Sequence, residues 1–345
     1  MATAEATVAD EATRRGIAEG FAETPPTPPV AGCGPARALE LGCFFDGTGN
    51  NRWLLPADTS ETNVVRLHDS YPTGTRADGA AVRDRHYLIG VGAGTAGQPG
   101  QPTTGTGLVD GGGLGIGTKE RVNLMYAWVK QKIEDHARVC DPESNIAVRF
   151  LGVFDTVESI PGSSQSAEAP NCHVENSDYR AARHFTARHE IRANFPLTKL
   201  DPGGKSVAYP GVHCDVGGGY VDGDQGKRNW LSFVTLVDMH AACRAQGIEM
   251  GGVSIPPGCD VSPRSVLRTG SDEELQQFIH RADEDPEVAG EGASALERVA
   301  VATRNASNPN FAVAPNAQGV RERGIAPAEK MRIVGRPPDF GWTPW

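Results

Sequence analysis

The sequence predicts an α/β fold: a mostly parallel sheet flanked by helices and joined by long glycine-rich loops. Short apolar runs alternate with segments of helical periodicity, which is the pattern of a layered α/β domain. The run from Ile146 to Phe154 is apolar everywhere except at Arg149, as expected for a central parallel strand covered on both faces. The 42 glycines and 25 prolines in 345 residues favour many turns over a helical bundle.

Strands are predicted where short apolar runs end in polar or glycine-rich turns: Ala38 to Phe45, His86 to Val91, Ile146 to Phe154 and Val207 to Val212. Helices are predicted over Thr118 to Arg138, Trp230 to Gln246, 273–282 and 294–304. In the first helix, apolar side chains recur at helical spacing and should face the core: Val122, Met125, Val129 and Ile133. Gly247 is expected to end the second helix.

The chain is expected to fold mainly over residues 38–304. Residues 1–37 contain Pro25-Pro26-Thr27-Pro28-Pro29, which cannot form the interior of a helix. We expect this proline-rich arm to be a disordered tail, with a docking segment for a carrier as the alternative. Residues 305–345 are polar and proline-rich and are expected to be irregular.

Composition excludes several classes of function. The formal charge of −10 argues against nucleic acid and against electrostatic adhesion to anionic lipid. Seven scattered cysteines without a C-x-x-C pair indicate reduced thiols in a protein that folds in a cytoplasm. No run of roughly 18 apolar residues predicts a membrane span, and no basic and apolar N-terminal region predicts a signal peptide. Action outside the producing cell would therefore need another export route.

No cofactor or metal is expected from the motifs that superficially suggest one. The stretch Gly92 to Gly97 fits G-x-G-x-x-G after a strand, but the prolines at 99 and 102 exclude the helix that a dinucleotide site needs. The turn that starts at Asp222 resembles the beginning of a calcium loop, but Phe233 stands where the loop requires a bidentate Glu.

Glycine-rich and polar segments follow three of the predicted strands, at the sheet edge where open α/β folds bind ligands. The first is Asp46-Gly47-Thr48-Gly49, after the strand Ala38 to Phe45. Its glycines leave backbone N–H groups able to hold a developing oxyanion. An ordinary turn at the end of a strand is the alternative interpretation.

The other two segments supply a carboxylate and a histidine. Asp155 directly follows a strand, where it could orient a histidine and fix its tautomer, although Asp is also a common cap. His213 follows a short strand and could act as a general base, although a lone histidine is more often structural. The order Asp then His is that of α/β-hydrolases. Asp215, Gly217 and Gly218 flank this candidate base.

These segments together resemble the catalytic domain of the phospholipase effectors delivered by bacterial type VI secretion. Further matching segments are Tyr87 to Gly92, Arg183 to Leu197 and the helix from Leu231. The resemblance extends from about Leu39 to Gly247, with the motifs in the family's order. It implies an α/β-hydrolase fold and a Ser-Asp-His triad that cleaves phospholipid acyl esters.

By this resemblance, Asp155 is the acid of the triad, His213 is its base, and the loop from Asp46 to Gly49 lies near the oxyanion hole. The family also carries a Gly-Phe-Ser-Arg-Gly-Ala block, its nucleophile elbow, between the helix at 118–138 and the Asp155 strand. This sequence contains neither that block nor any other G-x-S-x-G, so the serine nucleophile is not found.

The spacing suggests that a larger unit is absent. Only 16 residues separate Arg138 from Asp155, and the last nine are one strand. A parallel crossover needs about a dozen residues or more, so the nucleophile strand, elbow and helix cannot all fit. Three explanations remain open: a deletion whose join lies at Asn145 to Phe150, a loss of catalysis, and attack by another residue. Cys214 adjoins His213, but neighbours at a strand end point to opposite sides.

The sequence thus favours a lipolytic effector-type hydrolase, with a non-catalytic relative that binds lipid or a partner as the alternative. A poorly folded remnant of the deletion is a third hypothesis. The expected partners are membrane phospholipid, a type VI spike or carrier protein, and an immunity protein. The expected location is the cytoplasm of the producing bacterium, with possible export by type VI secretion.

Overall fold

The computed structural model describes residues 38–54, 61–94, 97–104, 117–137, 146–157, 179–192, 195, 197–198, 200 and 206–281. Its strands are β1 (Ala38–Phe45), β2 (Gly74–Thr75), β3 (Ala81–Leu88), β4 (Val148–Phe154), β5 (Tyr179–Ala187) and β6 (Ser206–Tyr209). Its helices are α1 (Asn63–Ser70), α2 (Thr118–Ala137), α3 (His213–Gly217), α4 (Leu231–Ala245), α5 (Val266–Thr269) and α6 (Asp272–Leu275), with a 3-10 turn at Asp224–Gly226. The predicted arm at 1–37, the helix at 294–304 and the segment 305–345 lie outside the described residues.

The strands form two small sheets in which parallel pairing dominates. In one, β1 runs parallel to β3 along its whole length, and the short β2 pairs antiparallel with β3. In the other, β5 lies between β4 and β6, and both pairings are parallel. Helices pack on these sheets, α2 against β1 and β3, and α4 against β4 and β5. The predicted α/β class with a mostly parallel, helix-flanked sheet is confirmed.

The edge position of β4 differs from the prediction. Among the described residues β4 pairs only with β5, so it is an edge strand rather than a central one. Its first residue, Val148, is 51% exposed, because no described strand covers that side.

Several predicted boundaries shift by a few residues. The strand predicted from His86 to Val91 is β3, which begins at Ala81 and ends at Leu88. The strand predicted from Val207 to Val212 ends already at Tyr209, because His213 opens a helix. The helix predicted over 273–282 is the single turn α6, which begins at the capping box of Ser271 and Glu274.

The long helices have the predicted extent, but in α2 the buried side chains differ from those predicted. Within α2, Met125 is buried as expected, whereas Val122 is 41% exposed. Arg121 is buried in its place, because its guanidinium donates hydrogen bonds to the carbonyl oxygens of Ile89 and Gly90. The chain thus uses a charged side chain to tie α2 to the end of β3. No described helix has both the length and the apolarity needed to cross a membrane.

The main core lies between α4 and the sheet of β4, β5 and β6. It includes Leu231, Phe233, Val234, Leu236, Met239, Phe185 and Tyr209. A polar cluster fixes α4 in this core. The hydroxyl of Tyr209 donates to Asp238 at 2.7 Å, and Arg268 makes a bidentate ion pair with the same carboxylate at 2.6 and 2.8 Å. Helix α4 therefore supports β6, the strand that leads into α3.

Truncation of Leu236 tests this core. Leu236 is fully buried, so Leu236→Ala should lower the free energy of unfolding by about 2–5 kcal/mol. Val266 is 41% exposed, and Val266→Ala should cost only about 0.5 kcal/mol. Urea denaturation followed by circular dichroism measures both, and equal losses would contradict the described packing.

Candidate active site

The predicted acid and base are in direct contact. The Oδ2 atom of Asp155 lies 2.7 Å from Nδ1 of His213, although 58 residues separate them in the chain. The carboxylate of Asp155 is fully buried, whereas the side chain of His213 is 30% exposed. Because an ionised carboxylate only accepts hydrogen bonds, Nδ1 carries the proton and Nε2 is the basic nitrogen of the neutral ring.

The backbone of β5 positions Asp155. Its N–H donates to the carbonyl oxygen of Phe185 at 2.6 Å, which continues the parallel ladder by one residue. Its Oδ1 then accepts from the N–H of Ala187 at 2.7 Å. Asp155 has a positive φ of 43°, a conformation that costs a non-glycine residue about 1–3 kcal/mol. The two backbone hydrogen bonds hold this conformation and direct Oδ2 towards His213.

His213 is held by its backbone as well as by its ring. It is the first residue of α3, and its N–H donates to Oε2 of Glu190 at 3.1 Å. Its ring meets the ring of Phe195 edge to face at a centroid distance of 5.2 Å. Among the described residues, no Ser or Thr hydroxyl is hydrogen-bonded to His213. The described hydrogen bond of the ring therefore engages Nδ1 and not Nε2.

Glu190 is a buried carboxylate that the sequence analysis did not assign to the site. It pairs with Arg192 through hydrogen bonds of 2.9 and 2.8 Å, and Arg192 lies over the Phe195 ring at 3.3 Å. Burial raises the pKa of Glu190, but the hydrogen bonds and charge of Arg192 outweigh it and hold that pKa below its ordinary value. Glu190 is thus a stable anion under His213. Glu190 lies inside the matching segment from Arg183 to Leu197, but a single Glu has no pattern that reveals such a role.

The loop from Asp46 to Gly49 is tightly built at the end of β1. Asp46 accepts hydrogen bonds from Gly47 N and Thr62 Oγ1, both at 2.9 Å, and from the Tyr87 hydroxyl at 2.5 Å. Burial nevertheless raises the pKa of Asp46 above its usual value. A Cβ on Gly90 would lie 1.7 Å from the carbonyl oxygen of Gly47, so only glycine allows this approach.

Most backbone N–H groups of this loop already have acceptors and are therefore not free to bind an oxyanion. The N–H of Gly47 donates to the Asp46 side chain, and the N–H of Gly49 donates to the carbonyl oxygen of Val91 at 2.8 Å. Of the three residues that follow Asp46, only the exposed Thr48 has an N–H without an acceptor among the described residues. An oxyanion donor in this loop would therefore be Thr48.

Thr62 brings this loop next to the loop that follows His213. Its hydroxyl contacts Asp46, and its backbone forms a bridge with Gly218. A Cβ on Gly218 would lie 2.9 Å from the backbone nitrogen of Asn63, so the glycine permits this contact. In contrast, a Cβ on Gly217 would meet no atom within 4 Å. The predicted segments thus lie at one edge of the fold, without a direct contact between Asp46 and His213.

Asp215 does not contact the His213 ring. Its fully buried carboxylate instead binds His280, with 2.5 Å between Oδ1 and Nδ1. The sequence analysis did not single out His280, because a lone histidine after a short helix matches no motif. The Asp155–His213 pair is therefore partly open to solvent, whereas the Asp215–His280 pair is fully buried.

The described fold is an α/β domain whose sheets are mostly parallel and whose Asp–His pair lies at the strand ends. Residues 130–242 match the family model for the catalytic domain of Tle1-like phospholipase effectors of type VI secretion. The match covers about a third of the chain, includes Asp155 and His213, and confirms the predicted resemblance. No curated protein matches the chain.

Two solved structures are similar at low identity. One is the Tle1 effector bound to the VgrG spike from the type VI secretion system, with 16% identity and a TM-score of 0.44 over 74% of this chain and 87% of that chain. The other is an uncharacterized protein from Pseudomonas aeruginosa, with 17% identity and a TM-score of 0.47 over 76% of this chain. This chain spans 53% of the latter.

The adjacent Cys214 is not an activated nucleophile. Burial raises the pKa of its thiol to about 11, so the thiolate is scarce at neutral pH. The serines at 163, 164 and 166 lie outside the described residues. Ser206 Oγ lies 3.4 Å from Nδ1 of His184, a different histidine that is fully buried.

The protonation of Cys214 is directly testable. Alkylation of this residue by iodoacetamide, followed by peptide mass spectrometry, should be slow at pH 7 and should accelerate up to about pH 11. In urea the same cysteine should react with an ordinary pKa near 8.5, which provides the matched control. Equal rates at pH 7 in the folded and unfolded protein would show that the thiolate is available.

Proposed function

We propose that this chain is a lipolytic effector-type domain that hydrolyses acyl esters of phospholipids, with His213 as general base and Asp155 as the carboxylate that orients it. The observation that carries this proposal is the 2.7 Å contact between the buried Asp155 and Nδ1 of His213. The family match over residues 130–242 supports phospholipid as the substrate class.

The chemistry follows from the tautomer that Asp155 selects. With the proton on Nδ1, Nε2 of His213 takes the proton of an attacking hydroxyl as its oxygen bonds to the ester carbonyl carbon. The resulting imidazolium is stabilised by Asp155 and returns the proton to the leaving alcohol as the ester C–O bond breaks. Water then cleaves the acyl intermediate by the same route. The N–H of Thr48 is the candidate donor to the oxyanion.

The partners belong to the same proposal. A type VI effector needs a spike or carrier protein for delivery and an immunity protein in the producing cell. The family that matches residues 130–242 consists of type VI phospholipase effectors, which supports delivery by that route.

A second candidate is a non-catalytic relative that binds lipid or a partner at the same edge of the fold. The observation that favours it is that no nucleophile is found. The sequence has no G-x-S-x-G, and no described hydroxyl is hydrogen-bonded to His213. In such a protein the Asp155–His213 pair would persist as part of the binding surface.

Removal of the base tests the catalytic proposal. Wild-type protein should release fatty acid from fluorogenic phospholipid vesicles, and His213→Ala should lower the rate by about 10²–10⁴-fold. His240→Ala is the matched control, because His240 lies on α4 and its ring hydrogen-bonds to the carbonyl oxygen of Gly251 rather than to a carboxylate. Full activity in His213→Ala would refute the assignment of the base.

Vesicle binding separates the two candidates. A non-catalytic relative should co-sediment with phospholipid vesicles without releasing fatty acid over a long incubation, and His213→Ala should bind equally well. Mass spectrometry of the lipid fraction measures release in the same sample. Release that depends on His213 would eliminate the second candidate.

A further inference from the structure

The pair formed by Asp215 and His280 lies within one helical turn of His213. Both side chains are fully buried, and Oδ1 of Asp215 lies 2.5 Å from Nδ1 of His280. The backbone N–H of His280 donates to the other oxygen, Oδ2, at 3.1 Å. His280 thus binds both oxygens of a carboxylate that is 65 residues away in the chain.

Asp215 transmits this contact to the backbone that carries His213. Its Oδ2 also accepts the N–H of Val212, the residue directly before His213, at 3.0 Å. Gly211 has a φ of 109°, and a Cβ there would lie 2.3 Å from Cβ of Asp215. The chain enters α3 in close contact with this carboxylate, so a displaced Asp215 would displace Val212 and with it His213.

The ring of His280 reaches the other end of the same loop. It stacks on Tyr220 with 4.2 Å between centroids and 22° between planes. Tyr220 follows Gly218 and Gly219, which both have positive φ and restrict the backbone little. His280 therefore contacts a residue on each side of this glycine pair.

The two ring nitrogens of His280 indicate that the residue does more than fill space in the core. Its Nε2 is buried and has no hydrogen-bond partner among the described residues. An apolar ring would fill the same space and stack on Tyr220 without the unpaired Nε2. What such a ring would lack is the Nδ1–H donor to Asp215.

We propose that His280 is a positioning residue, which holds His213 in line with Asp155 by fixing Asp215 and, through it, the backbone at Val212. The effect of His280 on catalysis rests on the proposed function. The geometry that it controls, the hydrogen bond between Nδ1 of His213 and Asp155, is measurable whether or not the protein turns over lipid.

Nuclear magnetic resonance of full-length protein with ¹⁵N-labelled histidine tests this role. A histidine N–H held by a buried carboxylate gives a downfield proton resonance, and His213→Ala identifies the one from the Asp155 pair by its loss. His280→Phe keeps the ring stack but removes the donor, and the His213 resonance should disappear or broaden in it. His280→Asn keeps a side-chain N–H near the position of Nδ1 and should retain the resonance.

Circular dichroism and thermal unfolding establish that each variant is folded. A folded His280→Phe protein with an unchanged His213 resonance would overturn the proposal. If His280→Phe does not fold, His280→Gln, whose donor is displaced from Nδ1, should lose the resonance instead, and its persistence would equally refute the role. Failure of all three variants to fold would assign His280 to the core alone and overturn the proposal.

An inactive wild type would refute the proposed hydrolase without affecting this test, because the resonance reports geometry rather than turnover. If wild type is active, His280→Phe should lower kcat with little change in KM, and His280→Asn should restore part of the loss.

Discussion

The hydrogen bonds between Asp155 and the backbone of β5 are the constraint on which the rest of the site depends. The parallel ladder of β4 and β5 ends at the bond from Asp155 N to Phe185 O, and the Asp155 side chain then replaces a backbone acceptor for Ala187 N. This replacement lets the chain leave the sheet with a positive φ while every polar group in the exchange is paired. The remaining carboxylate oxygen is thereby aimed at His213.

Three buried carboxylates converge on the start of α3, and each binds a different atom. Asp155 binds the His213 ring, Glu190 binds the His213 N–H, and Asp215 binds the Val212 N–H. A helix of five residues is too short to be stable alone, so tertiary contacts must hold it. Burial of three carboxylates is costly, and each is offset by backbone donors together with a histidine or arginine partner. The result is a rigid histidine on a chain segment rich in glycine.

The starts of β1 and β4 lie close together. Arg149 near the start of β4 forms an ion pair of 3.6 Å with Glu40 near the start of β1. Beyond the other ends of these strands, Thr62 links the Asp46 loop to Gly218. The two strands therefore run in the same direction and are edge strands of separate sheets among the described residues. An Asp–His pair in a chain without a recognisable nucleophile elbow is consistent with either candidate function.

The sequence by itself determined the strand Ala38–Phe45, the extent of α2 to within one residue, and the placement of Asp155 and His213 after strands. These features depend on local periodicity and on glycine-rich turns, which can be recognised in a single sequence. Only the tertiary structure decided that β4 is an edge strand, that Thr48 alone of its loop keeps a free N–H among the described residues, and that Glu190 and His280 belong to the site. Each of these depends on contacts between residues far apart in the chain. A lone buried Glu or His has no periodicity, and its role exists only once folding brings its partner within hydrogen-bond distance.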